Sequence, residues 1–419
     1  MRSSYKRLLL TLVLSMVFTV VMPHPPHLRA QAPSQWHFGA NVIVLTPPEN
    51  DRGALIAPMV MSPSGQYVAG ATLTDTTPAI YVWDVSPPVP QSGVAQITPA
   101  QRASLRPLLR DHKAFYNALI AFSPDERYLA VVDDVSIKLL TVPALQETRA
   151  ISVNSLPLLS QPAWSSDSQL LASVANEGTE LIVWNTQTNT TYRRTFDATY
   201  SRSVSYVNGE WILTAISGSV QHPSAFAVCT RLLEQCTSYF YPGIIDSIAS
   251  KANVLASHRV DEQNRYVAGV WVQQDDGAYL LNEERLQSGH TLCQQPRSLS
   301  PEGQYLFCDG ANGESLVWDL DRDEVIQQLA APSWSPFWAG ENILVTKSFS
   351  QNNGLLLNLH RIGQGNKVPV NQLDFDQIDF PGLYDLIDPE RFTPMAVGGN
   401  GLMLVSLGYG ALLIPIMYE

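Results

Sequence analysis

Cys229, Cys236, Cys293 and Cys308 are the residues of this 419-residue chain whose spacing most directly suggests chemistry. Four cysteines allow three pairings. Sequence separation favours Cys229 with Cys236 and Cys293 with Cys308, and buried free thiols are the alternative. A turn centred between Leu232 and Leu233 would set Cys229 and Cys236 opposite each other on a hairpin. A second reactive series is basic: Arg102, Arg106, Arg110 and Lys113 recur at steps of four, four and three. On a helix they would share one face and suit an anionic partner. Pro107 argues against one unbroken helix, and the plainer reading is a solvated loop or helix inside Ser86 to Phe115, an excursion over the surface.

The remaining candidates point away from local catalytic motifs. Asp374, Asp376 and Asp379, and Asp319, Asp321 and Asp323, lack the glycine a calcium loop needs at its sharp turn, and read as polar turns. The histidines (His24, His27, His37, His112, His222, His258, His290, His360) show no metal-ligand spacing. No Gly-x-Ser-x-Gly elbow, phosphate-binding loop or dinucleotide fingerprint occurs, so no cofactor or metal is expected. A site assembled from distant loops stays open.

The elements that would position such groups are strands. Leu299 to Leu320 shows the unit: an apolar approach, a Ser-Pro-Glu-Gly turn, the strand Tyr305 to Cys308, a Gly- and Asn-rich turn, and a strand ending in Trp318-Asp319. The phrase recurs with its second strand starting at Tyr67, Tyr128, Leu170, Trp211, Tyr266, Tyr305, Ile343 and Leu402. The basal spacing of about 40 residues is that of four-stranded propeller blades. The last repeat has three strands, and Phe38 to Leu45 is a strand with no partner of its own. Pairing the two would close the ring. The expected fold is therefore all-β: one propeller of eight four-stranded blades over residues 31–419, or seven should the degenerate repeat at Tyr206 not form a blade. Trp83, Trp164, Trp184, Trp318 and Trp334 fall at repeat positions and read as packing between blades. Trp36, Trp271 and Trp338 are freer to line a site.

These motifs resemble the WD40-type β-propeller family, in its divergent bacterial form, over roughly residues 36 to 419. Gly289-His290, Leu299-Ser300-Pro301 and Trp318-Asp319 carry the likeness, with Trp83-Asp84, Trp184-Asn185 and Asp111-His112 elsewhere. The family's Asp before the third strand is replaced by Asn312 and Thr77, so its His–Asp hydrogen-bond network is not expected in most blades.

Residues 1–30 read as a signal peptide: Lys6 and Arg7, the apolar run Leu8 to Met22, then Ala30-Gln31-Ala32, with cleavage after Ala30. No cysteine follows for lipid attachment, and no later run is long enough to span a membrane. The location expected is extracytoplasmic, secreted or in the cell envelope. The removed segment holds Arg2, Lys6, Arg7 and Arg29 and no acid, so the net charge of −12 becomes −16. Such a surface disfavours nucleic acid and anionic lipid. The function expected is a non-catalytic interaction module binding a protein or glycan through loops or the central channel. The alternative is a propeller-type hydrolase or lyase acting on an extracellular polymer. Acids and histidines converging at one mouth would favour the enzyme; neutral aromatic and amide groups would favour binding.

Overall fold

In four blades the turn between the first two strands works through a serine. The Ser300 N–H donates to the Tyr305 carbonyl at 2.8 Å, its Oγ accepts the Tyr305 N–H at 2.9 Å, and Gly303 N–H returns to the Ser300 carbonyl at 3.0 Å. Ser62, Ser123 and Ser165 repeat this pattern, and all four serines are buried. A hydroxyl there satisfies a backbone N–H that the tight turn would otherwise strand. The fourth turn position needs a left-handed backbone: Gly303 has φ +77°, and Glu126 and Ser168 adopt it at 60° and 61°.

The computed structural model describes residues 36–418 apart from 40, 49–54, 74–78, 87–93, 105–119, 133–135, 154–160, 197–202, 215–225, 242, 264, 284–285, 289–290, 311–312, 330–332, 351–353, 364–368 and 389–391. Their strands form eight sheets in a ring, a β-propeller with eight four-stranded blades. Blade 1 runs Leu55–Met61, Tyr67–Leu73, Ala79–Asp84 and Gln101–Ser104. Blade 2 runs Ile120–Phe122, Tyr128–Val132, Ser136–Thr141 and Glu147–Ser152. Blade 3 runs Ala163–Trp164, Leu170–Ala175, Glu180–Asn185 and Thr190–Thr195; blade 4 runs Ser203–Val207, Glu210–Thr214, Phe226–Thr230 and Cys236–Tyr239. Blade 5 has Ile244–Ile248, Val254–Val260, Tyr266–Gln273 and Tyr279–Asn282; blade 6 has Thr291–Leu299, Tyr305–Gly310, Ser315–Asp319 and Glu324–Gln328. Blade 7 has Trp334–Gly340, Ile343–Phe349, Leu355–Arg361 and Asn371–Asp374, and blade 8 has Thr393–Val397, Leu402–Ser406, Ala411–Tyr418 and Val42–Leu45.

The core is divided in the same way: one apolar cluster lies at each of the eight junctions between neighbouring blades. A blade is thus buried on both faces, so its middle strands read as unbroken apolar runs. Val42–Leu45 shows the alternation: Val42 and Val44 face the cluster shared with blade 7, Ile43 and Leu45 the one shared with blade 1. A belt of turn contacts ties the blades. Ser64 bonds Glu126, Asp125 N–H donates to Ser168 Oγ at 2.9 Å, Arg231 pairs with Asp167, and Asn400 Nδ2 donates to the Gly65 carbonyl at 3.0 Å. Glu341 accepts from Ser300 Oγ and from the N–H groups of Glu302 and Gln304. Gly289, His290, Asp111, His112, Asn312 and Thr77, the family-type marker positions, lie outside the described residues, as do residues 1–35.

The ring closes through the two ends of the described chain. Ile43, Val44 and Leu45 pair antiparallel with Leu413, Leu412 and Ala411. The short strand Trp36–Phe38 also pairs with Ala411–Tyr418 and is separate from Val42–Leu45, so the expected strand at Phe38 to Leu45 is broken in two.

Two expectations are corrected. In blade 5 the second strand is Val254–Val260, and Tyr266–Gln273 is the third. The stretch DEQNRYVAG imitates the usual turn and strand but closes the next hairpin, while Val254–Val260 carries Ser257, His258 and Arg259 and no Pro-Gly turn before it. The insertion from Ser86 is also not merely an excursion. Gln101–Ser104 is the outer strand of blade 1, opposite Ala79–Val82. Val94–Ile97 pairs in parallel with Val42–Leu45 and adds a fifth strand to the closing blade, where Gln96 Nε2 also donates to Thr46 Oγ1 at 2.9 Å.

Candidate functional site

The first strand of each blade lines the middle of the ring, and in five blades this strand is bulged. A bulge inserts an unpaired residue and re-aims its side chain. The inserted residue is Asp246 in blade 5; blade 6 has two, Gln294 and Arg297; blade 7 is bulged at the Ser335-Pro336 step, where Ser335 holds φ +50°, and again at Ala339. A non-glycine residue in that region stores strain, a recurrent property of binding sites.

Around Arg297 and Ser335 a cleft of about 510 Å³ opens between blades 6 and 7. Arg297 Nε and Nη2 both donate to Asp309 Oδ2, at 2.8 and 2.6 Å, and Nη2 also donates to Gln295 Oε1 at 2.8 Å. Asp309 lies opposite Gln295 across the first two strands, so the bulge brings Arg297 over it. Trp334 lies opposite Lys347, and Phe349 follows two residues on along the same face of the strand. The Trp334 and Phe349 rings meet at 5.6 Å between centroids, and both are about half exposed, at 47% and 46%. Lys347 Nζ donates to the Phe392 carbonyl at 3.0 Å and sits 6.0 Å from the Phe392 ring centre. Burial of its stem pushes the ammonium pKa down.

Trp83, Trp164, Trp184 and Trp318 are buried as packing residues, but the tryptophan expectation fails at Trp334, Trp271 and Trp338. Trp334, placed among the packing residues, is the exposed one. Trp338 and Trp271 are buried and donate to the Ser298 carbonyl at 3.2 Å and to Ser257 Oγ at 3.1 Å. Trp36 is half-buried against the cluster between blades 7 and 8. Arg102 is in a strand rather than on a helix, because Gln101–Ser104 completes blade 1; Arg106, Arg110 and Lys113 lie outside the described residues. The acidic turns are self-contained: Asp374 caps the Asp376 N–H, Asp376 accepts from Tyr384, and Asp319 accepts from the Asp321 and Arg322 N–H groups. Among the described residues no group of three or more His, Cys, Asp or Glu could hold a metal ion.

A disulfide joins Cys229 to Cys236, which face each other on the outer hairpin of blade 4. Cys293 and Cys308 form no bridge. They are buried free thiols between blades 5 and 6, hydrogen-bonded to each other. Cys293 lies opposite Gly310 and Cys308 opposite Pro296, so the two are diagonal rather than facing. Burial first, then the neighbouring Cys308, raises the Cys293 thiol pKa and keeps it protonated.

A histidine–carboxylate pair spans the first two strands of blade 5. His258 Nδ1 is 2.7 Å from Asp246 Oδ2, with Tyr266 packed edge-on against the imidazole. Next to it Arg259 grips Glu283 with two bonds, at 2.7 and 2.8 Å, and the guanidinium holds that carboxyl below the usual range. Glu283 is therefore a fixed anion rather than a proton donor.

No family model matches the chain, and no curated protein matches it. Among solved structures it is similar to the computationally designed Ika8 protein, at 15% identity and a TM-score of 0.52, over 90% of this chain and 100% of that one. At that identity the likeness concerns the fold alone.

Proposed function

We propose that this protein is an exported, divergent WD40-like propeller whose activity is to bind a protein or glycan at the cleft between blades 6 and 7. The observation that carries this reading is the exposed Trp334–Phe349 pair over a charged, strained cleft, in a chain that buries Trp83, Trp184, Trp211 and Trp318 completely. Exposed aromatics grouped with a few directed polar groups are a common make-up of recognition sites. Export is supported by the leader-like first 30 residues and by the Cys229–Cys236 disulfide, a bond that persists in oxidising compartments. No helix among the described residues is long and apolar enough to cross a membrane.

The test is capture from an extracellular fraction by the mature protein, compared with a Trp334→Ala/Phe349→Ala variant. Retention of a protein or glycan by the wild type, lost in the variant, is expected; retention by both refutes the cleft. A mature N-terminus other than Gln31 in the exported protein would overturn the cleavage after Ala30.

The enzymatic alternative has one observation in its favour, the His258–Asp246 pair, with a ring nitrogen held by a carboxylate as in general bases. Hydrolysis or cleavage of a polysaccharide panel by the wild type, abolished in His258→Ala, would replace the binding reading.

A further inference from the structure

Among the described residues, several cleft groups have unused hydrogen-bonding capacity. The Trp334 indole N–H has no acceptor. Both Arg297 bonds to Asp309 converge on Oδ2, so Oδ1 is open as an acceptor. Lys347 spends one donor on a carbonyl and faces no carboxylate, while Arg297 is already neutralised by Asp309. The cleft therefore carries one uncompensated cation in a protein whose overall charge is negative. Two half-exposed rings at 5.6 Å add an apolar platform. The volume, about 510 Å³, suits a small saccharide unit.

We infer that the cleft recognises a carboxylate-bearing sugar of the uronic acid class, within the binding function proposed above and resting on it. The C–H face of the pyranose lies against Trp334 and Phe349. A ring hydroxyl donates to Asp309 Oδ1, and another accepts the Trp334 N–H. The carboxylate accepts from Lys347, which is half-buried, so the charge-assisted bond forms in reduced dielectric. An acidic peptide would supply the carboxylate but not a flat C–H face flanked by hydroxyls.

The probes are tetragalacturonate and its fully methyl-esterified form, which has the same sugar faces without charge. Calorimetric titration of the mature protein is expected to give the acid form an advantage of about tenfold or more. Lys347→Met should bring the acid form down to the level of the ester, Lys347→Arg should restore the preference, and Trp334→Ala should weaken both. Equal or tighter binding of the ester, no binding of either probe, or a preference that survives Lys347→Met would each overturn the inference. The two readings fail separately. Binding of the ester alone, lost in Trp334→Ala, retains the cleft as an interaction site and removes the uronate; binding unaffected by Trp334→Ala removes both.

Discussion

Acidification should weaken this propeller at His360. The residue sits on the third strand of blade 7, 2% exposed, with Nε2 3.1 Å from Thr346 Oγ and Nδ1 without a partner among the described residues. Burial pushes its pKa down from 6.5 to about 4. Between these values the unfolded chain binds a proton that the folded one refuses, so stability rises with pH across this window. The contribution is intact above pH 6.5 and lost as pH falls toward 4. At about 1.4 kcal/mol per unit, the full loss is about 3 kcal/mol, of which about 2 falls between pH 7 and pH 5. Urea unfolding at both pH values, on wild type and His360→Gln, isolates the effect from other titrating groups. The wild type should lose about 2 kcal/mol more than the variant over this interval. Equal losses would refute the argument, and would mean that His360 is charged in the fold or that the strand opens first.

Other expectations concern the parts that hold the ring. Leu45→Ala, at a fully buried seam position, should cost about 2–5 kcal/mol, measured as a lowered urea midpoint. Glu341→Ala frees one hydroxyl and two N–H groups in the turn of blade 6 and should cost about 1–2 kcal/mol, with faster hydrogen exchange at Glu302 and Gln304. Cys229→Ser opens a seven-residue span and should cost about 2–3 kcal/mol at most, loosening Phe226–Tyr239 while leaving protection elsewhere unchanged. Loss of protection around the whole ring would show that the bridge holds more than its hairpin.

Blade number and closure were legible because both rest on local signals: recurring turn-and-strand phrases, with a buried serine in four of them, and runs such as Val42–Leu45 that only a doubly covered strand requires. The cleft was not. Its geometry comes from bulges at Arg297 and Ser335, and a bulge is set by the register of two strands rather than by the composition of either. The same blindness misplaced Trp334 and Trp338, which are four residues apart on one strand. Without the one bulge between them, period-two alternation would put both on one face. In blade 5, DEQNRYVAG misled because turn chemistry identifies a hairpin but not which hairpin of the blade it closes.

The fifth strand of the closing blade bears on how the chain is made. Val42–Leu45 is wholly apolar, and its antiparallel partner belongs to the last blade, so during synthesis it would wait as a naked edge, an aggregation hazard. Val94–Ile97 emerges long before that partner and covers one side of it in parallel, with the first three strands of blade 1 serving as the crossover. The nascent chain thus carries its own escort for the segment that must remain available until the end. Ribosome-bound chains truncated within blade 4 should show protection of Val42–Leu45, and chains lacking Val94–Ile97 should lose it.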